Sequence, residues 1–307
     1  MNDSLRKSLA ALVSQPVKWD CLLSRYTSFS IGGPADAVVL VDRREELVPL
    51  LSFLERENIQ WRVIGRGTNL LVKDSGFAGV ILILGKDFRS IFCSFEDSSA
   101  SVDVSVGGGC SLVRLSRNCM ESGLAGLEFV SAIPGTAGGA VIMNAGAWGA
   151  EISSVIENLT LASCDGEQVV ERENLNFGYR SWHDFHAFSS KPVVAEVTFR
   201  LEREEPEQIR ERNSTLRRKR KVNQPAGLAT AGSFFKNPPD DSAGRLIEAS
   251  GFKGAKVGGA EVSEHHANFL INNGGATAAD MLGLMDRIQE KVKKDSGINL
   301  EPEVHFI

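Results

Sequence analysis

"WRVIGRGTNLLV", residues 61–72, decides what kind of helix-and-strand protein this chain can be. Trp61 to Ile64 read as a short β-branched strand. Gly65 and Gly67 follow at once, permitting positive φ and leaving bare backbone N–H groups for a ligand to approach. Thr68 and Asn69 add short polar side chains, which together make the composition of an anion-binding nest. The stretch is not G-x-G-x-x-G and no helical period follows it, so a doubly wound Rossmann domain fits poorly. By itself it also suits a tight turn with close packing.

Outward from this loop, strand and helix signals alternate. "AVVLVD" (37–42), "GVILIL" (79–84), "SVDVSV" (101–106) and "PVVAEVTFRLE" (192–202) read as strands. "EELVPLLSFLERE" carries Leu47, Leu50, Leu51 and Leu54 at helical spacing, with Pro49 predicting a late start or a kink. A "GGG" follows the 101–106 strand, then a helix over "CSLVRLSRNCMESG" that Gly123 closes. A second glycine-rich segment, "VSAIPGTAGGAVIMNAGAWGAE" (130–151), leaves few side chains between its backbone and whatever lies against it. Two such segments, each with a strand before it, point to a large, flat, phosphate-bearing cofactor. Charged, aperiodic sequence then places a domain junction near 203–226; its run "RRKRK" (217–221) reads as a solvated helix end. The last clear helix is "TAADMLGLMDRIQEKVKKDSG", with Thr277 and Asp280 in capping-box spacing and Met281, Met285, Ile288 and Val292 on one face.

Composition removes several classes of function. The chain has 307 residues, 24% charged and 42% hydrophobic, and its net charge of −5 gives no electrostatic reason to expect nucleic acid. Cys21, Cys93, Cys110, Cys119 and Cys164 are odd in number and form no C-x-x-C pair, which argues for free thiols in a reducing compartment. Neither a secretory leader nor a membrane span is expected, and the reading is cytoplasmic. His265 and His266 are adjacent, would point oppositely on a strand and lack a third ligand, so no metal is expected.

"AGSFFKNPP" (231–239) sets the chemical question. A serine hydroxyl, a cation and an amide (Ser233, Lys236, Asn237) flank two aromatic anchors, although a short strand running into a Pro-Pro turn explains the composition as well. In "NLEPEVHFI", period-2 alternation puts Glu301, Glu303 and His305 on one strand face and Leu300, Pro302, Val304 and Phe306 on the other.

Seven motifs in order, "TSFSIGGPAD", "GRGTNLLV", "IPGTAGGAVIMNAGAWG", "FGYR", "AGSFFKNP", "VGGAEVSEHHANFLIN" and "LEPEV", make the chain resemble the UDP-N-acetylenolpyruvoylglucosamine reductase family from about residue 20 onward, in its shorter branch. The resemblance implies an α+β protein: a two-lobed FAD-binding region of the vanillyl-alcohol-oxidase type (1–85 and 86–206), then a substrate-binding domain (207–307). It implies NADPH-dependent reduction of an enolpyruvyl ether of UDP-N-acetylglucosamine in peptidoglycan precursor synthesis. Ser233 would donate a proton, and Arg180 and Glu303 would stabilise the enolate. FAD would lie against Gly65, Arg66, Gly67, Thr68, Asn69, Leu70, Pro134, Gly135, Thr136, Gly139, Asn144, Ala145 and Gly146. Tyr179, Lys221, Lys236 and Asn237 would meet the UDP-sugar. The chain departs from the usual pattern at Trp182, where a serine is common, and at Trp148, where a tyrosine is more usual. A related flavin oxidase and a non-enzymatic flavin- or UDP-sugar-binding protein are the alternatives; the first does not explain Ser233, Arg180 and Glu303 together.

Overall fold

Each apolar run becomes a strand close to its expected bounds: Pro34–Val41, Trp61–Val63, Phe77–Leu84, Ser101–Gly107 and Val193–Arg203. The computed structural model describes residues 1–95, 99–225 and 227–307 and divides into two units. One is built from Met1–Trp19, Ala37–Gly65 and Gly79–Arg218, the other from Asp20–Asp36, Arg66–Ala78 and Lys219–Ile307. Helices accompany sheets that are mainly antiparallel, so the chain is α+β.

The first unit holds a mainly antiparallel sheet in the order Gly166–Glu171, Ile156–Ser163, Val193–Arg203, Ser101–Gly107, Ile91–Ser94, with Leu124–Ala125 pairing the end of the central strand. A second sheet runs Lys18–Leu22, Pro34–Val41, Phe77–Leu84, Trp61–Val63, its last pair parallel. Helix α1 is Asp3–Ala11 and α2 is Arg44–Arg56. Pro49 neither delays α2 nor ends it. An internal proline costs a helix about 3 kcal/mol, but each fully buried leucine contributes about 1.5–3 kcal/mol. Leu47, Leu50, Leu51 and Leu54 are all 0% exposed, so burial wins. Helix α3, Leu112–Glu121, ends as expected before Gly123 at φ 68°.

The second glycine-rich segment contains a helix, α4 (Ala137–Ile142), which its composition hid. Thr136 caps it by accepting from Gly139 N at 3.3 Å. Before this segment come α3, the two-residue strand Leu124–Ala125 and a short 3-10 turn rather than a full strand.

The charged run expected to be an aperiodic junction is one helix, α5, Pro206–Asn223. Pro206 stands at its first position, where no N–H is required, and only Ile209 and Asn213 are buried, so no apolar period shows in the sequence. Arg212 pins it by pairing with Glu128 and Glu204. The basic run occupies its C-terminal end, as expected; Ala226, the last residue of the expected junction, lies outside the described residues.

In the second unit, α6 (Ala243–Ala249) and α7 (Ala278–Ser296) pack with the small sheet Lys256–Val257, Ala260–Val262, Leu270–Asn272. The core joins Phe234, Phe235, Met281, Leu284, Ile288 and Val292 to Phe29, Ile31 and Leu71 from the two early insertions. The capping box at Thr277 and Asp280 forms, and Asp74 adds a second cap by accepting from Ala278 N at 2.8 Å and Ala279 N at 3.0 Å. Among the described residues no helix is long and apolar enough to cross a membrane.

Candidate active site

Ser233 sits on a stub that belongs to no sheet. "AGSFFKNPP" makes only isolated bridges, Ser233 to Phe269 and Phe235 to Pro302, because prolines 238 and 239 stop any ladder from continuing. Phe234 and Phe235 are both 0% exposed and anchor the stub in the core, at about 3–5 kcal/mol each if truncated to alanine. Ser233 is half-buried between them and the surface, and no described residue bonds its hydroxyl.

Glu303 is held beside it. The Glu303 N–H donates to Phe234 O at 2.8 Å, and Lys236 N donates to Glu301 O at 2.8 Å, so the C-terminal segment runs alongside the serine stub. The expected long alternating strand here is reduced to His305–Phe306, paired in parallel with Leu70–Leu71. Leu300 and Val304 are buried as the alternation requires, but Phe306 is 42% exposed. Asn69 ties the glycine loop to this segment: its Nδ2 donates to Glu303 O at 3.0 Å, and its carbonyl accepts from His305 N at 3.0 Å.

Arg180 belongs to the first unit, on the two-residue hairpin between Phe177–Gly178 and Ser181–Trp182. Its φ is 53°, a left-handed position that glycine or asparagine would normally take. Nη2 donates to Gly146 O at 2.8 Å, Nη1 lies 3.6 Å from Glu151 Oε1, and the guanidinium stands 5.0 Å from the centre of the Tyr179 ring. Asn144, 1% exposed, carries the hairpin: Nδ2 donates to Gly178 O and Glu151 Oε2, both at 2.9 Å, while Oδ1 accepts from Ser153 N. Glu151, which the sequence did not single out, is thus joined both to the hairpin and to Arg180.

The two glycine-rich segments meet in the first unit. A Cβ on Gly65 would fall 2.5 Å from Thr136 Oγ1, and one on Gly139 3.3 Å from the same atom. Gly65, Pro134 and Gly139 are exposed around that buried threonine, a surface almost free of side chains. Gly135 has room for a methyl group, meeting only Leu112 Cδ1 at 3.5 Å. Nearby in sequence, Ser131 Oγ is buried with no hydrogen-bond partner among the described residues. An exposed backbone rim and an unsatisfied hydroxyl fit a polar cofactor with a flat body. Gly67 is different. A Cβ there would meet Tyr26 O at 1.9 Å and its φ is 63°, so the fold itself demands glycine.

The C-terminal portion, residues 224–307, matches the family model "UDP-N-acetylenolpyruvoylglucosamine reductase, C-terminal domain", and residues 35–171 match "FAD binding domain". A curated UDP-N-acetylenolpyruvoylglucosamine reductase of Desulfosudis oleivorans is 39% identical over 312 residues, spanning 100% of this chain and 99% of that protein. One from Geobacter sulfurreducens is 42% identical over 304 residues, covering 99% and 98%. The crystal structure of the Thermus caldophilus reductase superposes with a TM-score of 0.78 at 35% identity, covering 95% of this chain and 98% of that one. The chain belongs to the UDP-N-acetylenolpyruvoylglucosamine reductase family.

For a member of this reductase family the remaining residues take definite places. Lys236 Nζ lies 3.5 Å from Glu301 Oε2, and Asn237 Oδ1 accepts from Ala243 N at 3.0 Å at the start of α6. Lys221 is exposed near the end of α5, and Tyr179 is exposed beside Arg180. Trp182 packs against Phe177, Phe185 and Phe188 with ring centroids 5.4–5.8 Å away. Trp148 occupies a tight turn with Gly149, φ 60° and 84°. His265 lies in a bend and His266 follows it, neither on a strand, and His265 Nε2 donates to Val222 O at 2.7 Å. Among the described residues no three His, Cys, Asp or Glu side chains gather as a metal site. Sequence reasoning missed Asn268, whose side chain bonds both the N–H and the C=O of Phe235; the available signal was an amide inside the apolar run "ANFLI".

Proposed function

We propose that the protein reduces the enolpyruvyl ether of UDP-N-acetylglucosamine to UDP-N-acetylmuramate, using FAD and NADPH. The observation that carries the reading is the main-chain bond from Glu303 N to Phe234 O at 2.8 Å, which seats the carboxylate segment against the serine stub in a chain of this family. FAD, when bound, supplies the hydride that NADPH delivers to it. The residues proposed to hold it are Gly65, Arg66, Gly67, Thr68, Asn69, Leu70, Pro134, Gly135, Thr136, Gly139, Asn144, Ala145 and Gly146, in the two lobes 1–85 and 86–206 named above.

The substrate's C=C bond takes hydride at its terminal carbon and a proton at the carbon bearing the carboxylate, while NADPH is oxidised to NADP⁺. Ser233 donates that proton from Oγ, which no hydrogen bond from a described residue occupies. A serine is a weak acid, but a preplaced hydroxyl facing a strongly basic enolate carbon is sufficient. Arg180 keeps a permanent positive charge for the developing enolate or its carboxylate, and its planar fork gives directionality that an ammonium lacks. Glu303 polarises the enolate or relays its proton. Tyr179, Lys221, Lys236 and Asn237 are assigned to the UDP-sugar, within a substrate-binding domain of 207–307.

The test is NADPH oxidation by purified protein with and without the enolpyruvyl substrate. Consumption that depends on that substrate, with stoichiometric UDP-N-acetylmuramate, supports the reading. A flavin-bearing protein that consumes NADPH equally without it would contradict the reading.

A further inference from the structure

We infer that Asn268 is the positioning residue for Ser233, its side-chain amide holding the serine stub in the orientation from which the hydroxyl donates. The inference rests on the reading of Ser233 as proton donor. The stub lies outside any sheet: Phe234 and Phe235 anchor it, main-chain bonds to Glu301 and Glu303 flank it, and the bridges at Ser233 and Phe235 are isolated. Asn268 supplies what a neighbouring strand would. Its carbonyl accepts from Phe234 N at 2.8 Å, its Oδ1 accepts from Phe235 N at 2.9 Å, and its Nδ2 donates to Phe235 O at 2.8 Å.

The first of these bonds comes from the main chain and fixes the peptide plane joining Ser233 to Phe234, while the side chain acts on the peptides that follow. The other two fix both planes flanking Phe235. Asn268 is 3% exposed, so each group it left unpaired would be desolvated without compensation. Its own N–H donates to His266 Nδ1 at 3.2 Å, which sets the bend that carries it. Asparagine alone offers an acceptor and a donor on one short planar group. Aspartate lacks the donor, leucine lacks both, and glutamine places them one methylene further out.

The experiment compares Asn268→Asp with the parent in stopped-flow half-reactions. Loss of the donor facing Phe235 O should shift the stub, and displacement of a reacting group by about 1 Å costs on the order of 10²-fold. Oxidation of the NADPH-reduced protein by the enolpyruvyl substrate should slow by about 10- to 100-fold. Flavin content, the rate of reduction by NADPH and the half-saturating substrate concentration should stay within about threefold. Lowering the pH should restore the variant relative to the parent, because a protonated carboxyl group again accepts through one oxygen and donates through the other. Asn268→Gln carries the same test should the aspartate variant fail to fold.

Ser233→Ala, measured alongside, separates the two claims. If Ser233→Ala oxidises substrate-dependently at the parental rate, the reading of Ser233 itself fails. If Ser233→Ala is slow while Asn268→Asp is not, Asn268 does not position the serine. Where both hold, the double variant should be no slower than Ser233→Ala alone; an additive further loss would place the role of Asn268 elsewhere and overturn the inference.

Discussion

Arg180 occupies a left-handed turn position at φ 53°, a conformation that costs a residue with a side chain about 1–2 kcal/mol. A cost of that kind at a residue whose guanidinium is aligned by Gly146 O and Glu151 suggests that the side chain, not the turn, dictates the choice. Arg180→Lys keeps the charge and the backbone but loses the fork, so kcat should fall by about 10² or more with stability nearly unchanged. Steady-state kinetics beside a urea melt checks this; near-parental kcat would reduce Arg180 to a distant charge. Gly135 offers a cleaner probe of the cofactor surface than Gly67, where Tyr26 O already excludes a Cβ. With only Leu112 Cδ1 at 3.5 Å to meet, Gly135→Ala should leave the apo-protein's stability unchanged while weakening FAD binding at least tenfold. Titration of apo-protein with FAD, read by flavin fluorescence, decides it, and parental affinity would remove Gly135 from the cofactor surface. A residue's place was legible where a motif carried it, as at Ser233 and Glu303, whose segments the fold lays side by side. It was not legible at Asn268 or Glu151, whose importance lies in which main-chain atoms the fold brings to them.

Among the elements, the sequence revealed those held by a repeating apolar face or by a cap. Helix α7 announced itself through Thr277, Asp280 and its buried face, whereas α5 did not, because it buries only Ile209 and Asn213. The cap from Asp74 onto α7 could not be seen, since it joins positions far apart in the chain. Thr277→Ala should cost about 1 kcal/mol in urea unfolding, as loss of a helix cap usually does. Asp74→Ala should cost more, because it leaves two terminal N–H groups unsatisfied and removes a charge from the positive end of the helix. An equal or smaller effect at Asp74 would show that Thr277 alone carries the helix start. Trp61–Val63 supplies a further element-scale consequence. Lys191 Nζ lies 3.9 Å from the Trp61 ring centre and donates to Trp61 O, and burial, aided by the charge of Arg62, pushes its pKa down from 10.5 to about 8. Between pH 8 and 10.5 the unfolded chain therefore binds a proton that the fold does not, so this group's contribution to stability rises with pH. The stability of Lys191→Met relative to the parent should accordingly decline as pH climbs from 8 to 10. A constant difference across that range would mean that the lysine is not held in a desolvated state.

At the scale of the whole molecule, the division into two units was the least legible feature. Asp20–Asp36 and Arg66–Ala78 lie early in the chain yet belong with the C-terminal residues, contributing Phe29, Ile31 and Leu71 to that core. Local periodicity reports which face of an element is buried, not which distant segment covers it, so the strands could be placed and their partition could not. The glycine loop 65–72 is itself split after Gly65, its remainder tied through Asn69 to the segment that carries Glu303. The central claim is that Ser233 donates the proton to the substrate and takes no part in the reaction with NADPH. Stopped-flow study of Ser233→Ala tests it most directly. The account predicts flavin reduction by NADPH at the parental rate and substrate-driven reoxidation slower by about 10²–10⁴, as loss of a placed general acid requires. Reoxidation at the parental rate, or equal slowing of both half-reactions, would contradict it.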